Sequence, residues 1–425
     1  MSKSIGERLR ELDRRESAGA NELRQRLERL YRSAATEKSF PDEQVVRDQR
    51  RIHEYVAGSY ENTSFGDVFV ARVHYPWDYV HGNSSPAGLR SISGDWLSRL
   101  GRYAKRTDFD LDGTIFIDTE TTGLAGGSGT LAFLVGIGFV DDGGFTVHQY
   151  FADSFNREEG MLDLVADFIK PYSTIISFNG KTYDLPLLAT RYVLQRRPSP
   201  FESMQHLDLL HLARQIWGYS LQDCRLQTIE REVLDFQRRD DLPGSKVPEA
   251  YFKFLRGGGA DPLYRVFEHN ALDILTLAMI LPLVWELTRP EGRAPDLQLA
   301  RSRILLRQGE VESARQVLEE FVTVAGDQRL RQIGRIHLGR IYKKTGAIDR
   351  ACRQWRKAIE DGPQFYLEPY EELAKDCEHR QKNPESARDF ARQARNRLSG
   401  GRTRELHALD HRLERLEDKI ERRKQ

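Results

Sequence analysis

Apolar and polar positions are patterned in three different ways along this chain. In residues 1–36, Ile5, Leu9, Leu12, Leu23, Leu27 and Leu30 recur at roughly helical spacing among Arg and Glu, which predicts an amphipathic helix or helix pair. From 37 to 110 the texture is mixed. FGDVFVARVHY (65–75) has strand composition, and Gly, Pro, Asn and Ser cluster at 82–88 as a loop. Between 111 and 290 short apolar runs come first. TIFIDTE (114–120), LAFLVGIGFV (131–140) and FTVHQYFA (145–152) predict strands, the last two joined by an Asp-Asp-Gly-Gly hairpin turn. A helix over 157–169 leads to a further strand, TIISF (174–178), and helices are predicted over 183–195, 205–217 and 262–287. Strands followed by interleaved helices predict an α/β layer domain.

After 297 the strand signal ends and a helical repeat begins. LLRQGEVESARQVLEEF (305–321) aligns with YKKTGAIDRACRQWRKAI (342–359), placing Gly309 and Gly346, and Ala314 and Ala351, 37 residues apart. In a weaker third copy Asn383 stands 37 after Gly346 and Ala387 stands 36 after Ala351. A period in the middle thirties, with a small residue at the turn and Ala where helices meet, resembles tetratricopeptide repeats over 297–400. Ser399-Gly400-Gly401 closes the array, and a charged helix (404–423) occupies the last segment, 401–425.

Composition changes this picture little. A chain of 425 residues with 39% hydrophobic and 30% charged residues suits two or three globular domains. Its 3 cysteines, Cys224, Cys352 and Cys377, form no CxxC pair and no disulfide framework, which suits a reducing cytosol. The start of the chain has no apolar signal region, and no stretch reaches the roughly 18 apolar residues of a membrane span. A soluble, cytoplasmic protein without a membrane partner is therefore expected. The net charge of +1 excludes a uniformly basic nucleic-acid binder. It conceals an asymmetry, because residues 301–425 carry 29 Lys/Arg against 21 Asp/Glu, leaving 36 against 43 in residues 1–300. The basic half could attract phosphate backbones, or it could be a solvated helical surface.

Candidate chemistry lies in the acids. Asp118 and Glu120 end a strand at i and i+2, so they share one face. Beside a buried strand two such charges repel unless one protonates or a cation intervenes, although a solvated strand end would make them ordinary. Asp184 follows the strand ending at Phe178 and the Asn179-Gly180 turn, where complementing a helix dipole would also suffice. Asp273 shares an otherwise apolar helix face with Val266, Leu277 and Ile280, and His269 lies four residues before it. Those two could simply satisfy each other. Four carboxylates beside a histidine also suit two Mg²⁺ or Mn²⁺ ions with a bound phosphodiester, the histidine orienting water or taking its proton.

DTETTGL (118–124), FNGKTYDLPLL (178–188) and HNALDILTLA (269–278) resemble the three motifs of the DEDD exonucleases in the ribonuclease H-like superfamily. The text around them, including HLDLLHLAR (206–214) and LPGSKVPEAYFKFL (242–255), is similar to the YprB-like ribonuclease H-like proteins, some of which carry tetratricopeptide repeats. The resemblance implies an α/β ribonuclease H-like domain, a mixed sheet flanked by helices, followed by an all-α tetratricopeptide-like domain. It implies that Asp118, Glu120, Asp184 and Asp273 hold two divalent ions, with Asp118 bridging them. It implies that His269 orients water and that Thr121, Gly123, Leu124 and Asn179 lie against the substrate strand. The implied activity is 3′→5′ exonucleolysis of single-stranded DNA or RNA, with the repeats contacting a protein partner or nucleic acid. In this group the third-motif helper is a His five residues before the Asp or a Tyr four before it. Here Glu268 stands at minus five and His269 at minus four, a histidine at tyrosine spacing. That departure keeps open a second reading, an inactive nucleic-acid-binding module with a scaffold role. Asp208 is a fifth acid, read as organising the helix it opens.

Other local signals fail on chemistry. Gly126, Gly127 and Gly129 lack the Lys of a phosphate loop, and Gly136-x-Gly138 sits inside a strand with Asp141 where a dinucleotide fingerprint needs Gly. His206 and His211 are five apart, off the spacing of helical zinc ligands, and there is no GxSxG nucleophile elbow.

Overall fold

The computed structural model describes residues 52–101, 110–123, 129–218, 220–288, 295–398 and 403–424. The helix predicted in 1–36, Leu124 and the Ser399-Gly400-Gly401 break lie outside the described residues. Seven strands form one mixed sheet: β1 (Gly58–Glu61), β2 (Val68–Pro76), β3 (Thr114–Thr121), β4 (Ala132–Val140), β5 (Gly144–Phe151), β6 (Thr174–Ser177) and β7 (Gln205–Asp208), in the order β1-β2-β5-β4-β3-β6-β7. β6 and β7 run parallel to β3, and the remaining neighbours are antiparallel. The strand predicted at 65–75 therefore belongs to this sheet, with β2 pairing with β5 from Phe69 to Pro76.

Strand alternation assigns β3 to two cores. Phe116 points to the face covered by the long helix α7, introduced below, while Ile115 and Ile117 point to the opposite face. Three helices come before it on these faces and one edge: α1 (Gly94–Gly101), α2 (Glu158–Phe168) and α3 (Asp184–Leu194). Leu162 and Val165 of α2 and Leu187, Leu188 and Tyr192 of α3 pack on the Ile115 face. The chain then forms α4 (Leu209–Trp217), α5 (Leu226–Glu232), α6 (Val247–Leu255) and α7 (Asp261–Thr288). Sequence periodicity predicted one helix over 205–217. The structure instead starts that segment as an edge strand, because Gln205–Asp208 completes a parallel ladder with β6 and Asp208 then caps α4. On the far side of the sheet from α3, Tyr251 of α6 stacks on Phe133 at 4.0 Å.

By length and composition α7 would be able to cross a membrane, contrary to the reading that no run qualified. In its most apolar 18-residue window 72% of the window is buried inside the protein, so it is the core helix of this fold. Gly136 and Gly138 make its close approach possible. A Cβ on Gly136 would meet Asn270 Oδ1 at 2.2 Å, and one on Gly138 would meet Ile274 Cγ2 at 2.5 Å.

The remainder is helical: α8 (Pro295–Arg307), α9 (Val311–Val324), α10 (Gln328–Lys344), α11 (Ile348–Glu360), α12 (Leu367–His379), α13 (Pro384–Arg397) and α14 (Thr403–Lys424). Ala314, Ala351 and Ala387 are all buried, as the repeat pattern requires. Gly309 and Gly346 take positive φ at the turns. In the third copy the positive φ falls on Lys382, and Asn383 caps α13 by accepting from the Ser386 amide at 2.9 Å. Lys382 is 36 residues after Gly346, matching the interval from Ala351 to Ala387, so the third copy keeps one period throughout.

Candidate active site

The site is assembled where the C-terminal ends of β3 and β6 meet α7. Asp118 and Glu120 leave β3 on the α7 face, and Thr119 leaves on the other, where its hydroxyl donates to Asp184 at the start of α3. Asn270 of α7 donates to Asp118 Oδ2 at 2.9 Å. Its own carbonyl accepts from Gln149 on β5 at 2.9 Å, and the same Gln149 amide reaches the Phe267 carbonyl at 2.8 Å. Asn270 is fully buried and was not singled out from sequence, although it adjoins His269 in the third motif.

Electrostatics show that these acids share one small volume. Burial raises Asp118 well above the ordinary carboxylate range, and the nearby charges of Asp273, Asp184 and Glu120 push it further the same way. Burial moves Glu120 up to about 8, with His269 opposing the shift, and moves Asp184 up to about 6, with the Thr119 hydroxyl opposing. The structure thus brings together all four predicted acids. His269 joins them, its Nε2 lying 3.7 Å from Asp273 Oδ2 and 4.0 Å from Glu120 Oε1. Burial disfavours its charge, but the Asp241 hydrogen bond and the Asp273 and Glu120 carboxylates raise it to about 9. As an imidazolium it donates Nδ1–H to Asp241 Oδ1 at 2.8 Å.

Sequence reasoning missed the cation beside Asp273. Arg238 comes from the loop between α5 and α6 and is almost wholly buried. Its Nε and Nη2 grip the Glu230 carboxylate at 2.8 and 2.6 Å, and Nη2 also donates to Asp273 Oδ1. Glu230 is in turn held by the Thr276 hydroxyl of α7. No motif spacing signals this residue, because Arg238 lies 35 positions from its partner and its loop has no regular period.

The predicted substrate residues are placed unevenly. Thr121 donates to the Gly123 carbonyl at 2.9 Å, and the Tyr183 hydroxyl donates to the same oxygen at 2.7 Å, so the first and second motifs are tied at the turn. Asn179 is exposed in the left-handed region, φ 67°, with its side-chain oxygen accepting from Thr182 at 2.7 Å. Gly180 beside it is obligatory, since a Cβ there would lie 2.3 Å from Ser177 Oγ. Asp208 spends its carboxylate on backbone amides: Asn179 at 2.9 Å, Leu210 at 3.0 Å and Lys181 at 3.1 Å. It fixes the second-motif turn as well as the helix it opens.

The donor set fits a hard divalent cation: four carboxylates, Glu120 and Asp184 buried and Asp118 and Asp273 half-buried, with their mutual repulsion only partly offset. In the present rotamers, among the described residues, no three His, Cys, Asp or Glu side chains are arranged to hold an ion. Thr119 and Asn270 each hold one oxygen of Asp184 and Asp118, contacts of the kind that orient a ligating carboxylate, whereas the Arg238 cation on Asp273 Oδ1 competes with a metal ion for that acid.

Comparison with known proteins agrees with this geometry at the level of fold. The chain is 29% identical over 355 residues to the uncharacterized protein YprB of Bacillus subtilis (strain 168), covering 81% of this chain and 85% of YprB. A family B DNA polymerase from the hyperthermophilic archaeon Pyrobaculum calidifontis superposes with a TM-score of 0.33 at 11% identity, over 70% of this chain and 44% of the polymerase. That superposition is too loose to bear on fold or function. Residues 115–285, the stretch that carries every acid of the site, match the RNase_H superfamily, and the mixed sheet flanked by helices is ribonuclease H-like.

Proposed function

We propose that this protein hydrolyses phosphodiester bonds with the help of divalent metal ions, as a 3′→5′ exonuclease on single-stranded DNA or RNA. The observation that carries the reading is the convergence of Asp118, Glu120, Asp184 and Asp273, from three distant motifs, on one buried locus. These four would hold two Mg²⁺ or Mn²⁺ ions. Such ions supply an activated water and charge stabilisation at the leaving oxygen when bound.

The chain's own groups then have separable tasks. Thr119 and Asn270 orient Asp184 and Asp118. His269, steadied through Nδ1 by Asp241, directs Nε2 toward the space between Glu120 and Asp273, where it can position a water or hold a proton. Asp208 and Tyr183 keep the turns at Asn179 and Gly123 in place to receive a strand end.

The test is incubation of end-labelled single-stranded DNA and RNA with Mg²⁺ or Mn²⁺, beside Asp118→Ala. Cleavage that shortens strands from the 3′ end and disappears in the variant is expected. Equal cleavage by both proteins, or none by either, rejects the proposal. A second reading, binding without catalysis, is favoured by one observation, the Arg238 guanidinium on Asp273. Mn²⁺ titration by calorimetry separates the two, because a site closed by Arg238 takes up no ion.

A further inference from the structure

A second charged feature lies away from the acids, where α4 meets the helical region. A cleft of about 450 Å³ is lined by Arg214 and Gln215 of α4, Arg303 of α8, and His337, Arg340 and Lys344 of α10, together with apolar side chains. Among the described residues no acidic side chain lines it. Arg303 is buried and fixed: Nη1 donates to the Gln215 carbonyl at 2.7 Å, and Nη2 lies 2.9 Å from His337 Nε2. Burial, then the charges of Arg303 and Arg340, hold His337 down at about 3, so it stays neutral. Arg340 shares its charge with Glu368 on α12. Arg214 and Lys344 are exposed at the mouth and make no ion pair among the described residues.

Around one opening Arg214, Arg303 and Lys344, with Arg340 offset in part by Glu368, repel one another unless a further anion joins them. Planar guanidinium groups beside an ammonium suit phosphate oxygens, which accept paired hydrogen bonds. The cleft is also tied to the candidate active site by α4. That helix begins at Asp208, which holds the second-motif turn, and reaches Arg214 six residues later, a rise of roughly 9 Å. A few nucleotides of single strand span such a distance.

We infer that this cleft is a phosphate-binding site that holds the backbone of a single strand whose end lies at the acids. The inference rests on the proposed nuclease reading for its choice of ligand. Phosphate could also arrive as a free nucleotide, and the test separates the two sources.

The experiment measures fluorescence anisotropy of a labelled single strand with the full chain in EDTA, so that binding is read without cleavage. Arg214→Glu with Lys344→Glu is compared with Arg353→Glu and Arg356→Glu, exposed positions on α11 that make the same change in net charge. Urea midpoints confirm that both variants fold, and Arg214→Gln with Lys344→Gln repeats the comparison without charge reversal. The cleft variant is expected to bind at least tenfold more weakly than the α11 variant, with a salt slope smaller by about 1.4 for two lost contacts. Equal weakening by both pairs, or unchanged strand binding, overturns the inference. If adenosine monophosphate binding alone is lost, the ligand is a free nucleotide and the strand is rejected. Cleft-dependent binding without cleavage refutes the nuclease reading and leaves the cleft standing. Cleavage with cleft-independent binding does the reverse.

Discussion

At the scale of single residues, Arg238 and His81 carry consequences that no motif contains. Glu230 is 1% exposed and relies on Arg238 for its counter-charge. Arg238→Met therefore leaves a buried carboxylate unpaired and should cost about 3–5 kcal/mol in urea unfolding. Adding Glu230→Gln removes that charge while keeping an acceptor for Thr276, and should recover at least about 2 kcal/mol of the loss. A double variant no more stable than Arg238→Met would show that the pair is not coupled. His81 closes the same network from the other side, with Nε2 3.1 Å from the Thr276 hydroxyl and its ring 3.9 Å from Phe236. Burial, then the charge of Arg238, lowers it to about 4, and its Nδ1 has no hydrogen-bond partner among the described residues. The folded state thus prefers the neutral ring. Stability is complete above the unfolded value near 6.5 and declines as pH falls toward 4, by about 3 kcal/mol for this group. His81→Gln, which cannot titrate, should lose correspondingly less between pH 7 and pH 4.5, read as urea midpoints. Parallel losses in both proteins would contradict the assignment.

At the scale of elements, glycines decide where helices can lie and turn. Gly136 faces Asp118 across the β3–β4 ladder and leaves room for Asn270. Gly136→Ala should displace α7, cost about 1–3 kcal/mol and weaken the proposed cleavage by disturbing Asn270 against Asp118. Gly129→Ala, with nothing within 4 Å of the added carbon, should stay within about 0.5 kcal/mol of the parent. Equal losses at the two sites in urea melts would refute the packing argument. In the repeats the same logic concerns conformation alone. Gly346 has φ +81° and open space around it, so Gly346→Ala should cost about 1 kcal/mol. Lys382, at φ 54° in the equivalent turn, should respond in the opposite sense, with Lys382→Gly gaining about 0.5 kcal/mol. A step of 37 residues from Gly346 lands on Asn383, one position past the residue that takes the positive φ. The backbone shows that the asparagine was chosen for capping.

At the scale of the molecule, α8 belongs to two cores at once. Ala300 and Ile304 are buried with the α7 residues Leu277 and Ile280, while Leu299 and Leu305 are buried with α9 and α10. Arg303 and Arg307 add hydrogen bonds to Gln215, and Arg307 also donates to the Leu100 carbonyl. Truncation after residue 290 should therefore strip the sheet domain of part of its own core, and truncation after 308 should retain it. Thermal unfolding of the two fragments checks this. A higher Tm for the shorter fragment would mean that α8 serves only the repeats.

How much of this was readable in advance follows from the range of each interaction. Strands β3 to β6, the core helix and the repeat period were legible because each rests on local periodicity over a few turns or residues. The four acids and His269 were legible because each sits in a motif a few residues long. The β7 strand was not, since QHLD becomes a strand only by completing a ladder with β6. Asn270's role, the Arg238–Glu230 pair and the cation cleft joining α4, α8 and α10 were equally hidden. Asn270 and Asp118, Arg238 and Asp273, and the cleft's three helices are tens of residues apart in the chain, Glu230 lies eight from Arg238 with no regular period between them, and desolvation, which makes those charges matter, exists only once the chain has packed. The sequence by itself determined which chemistry was available; tertiary structure decided which charges were left facing one another without water.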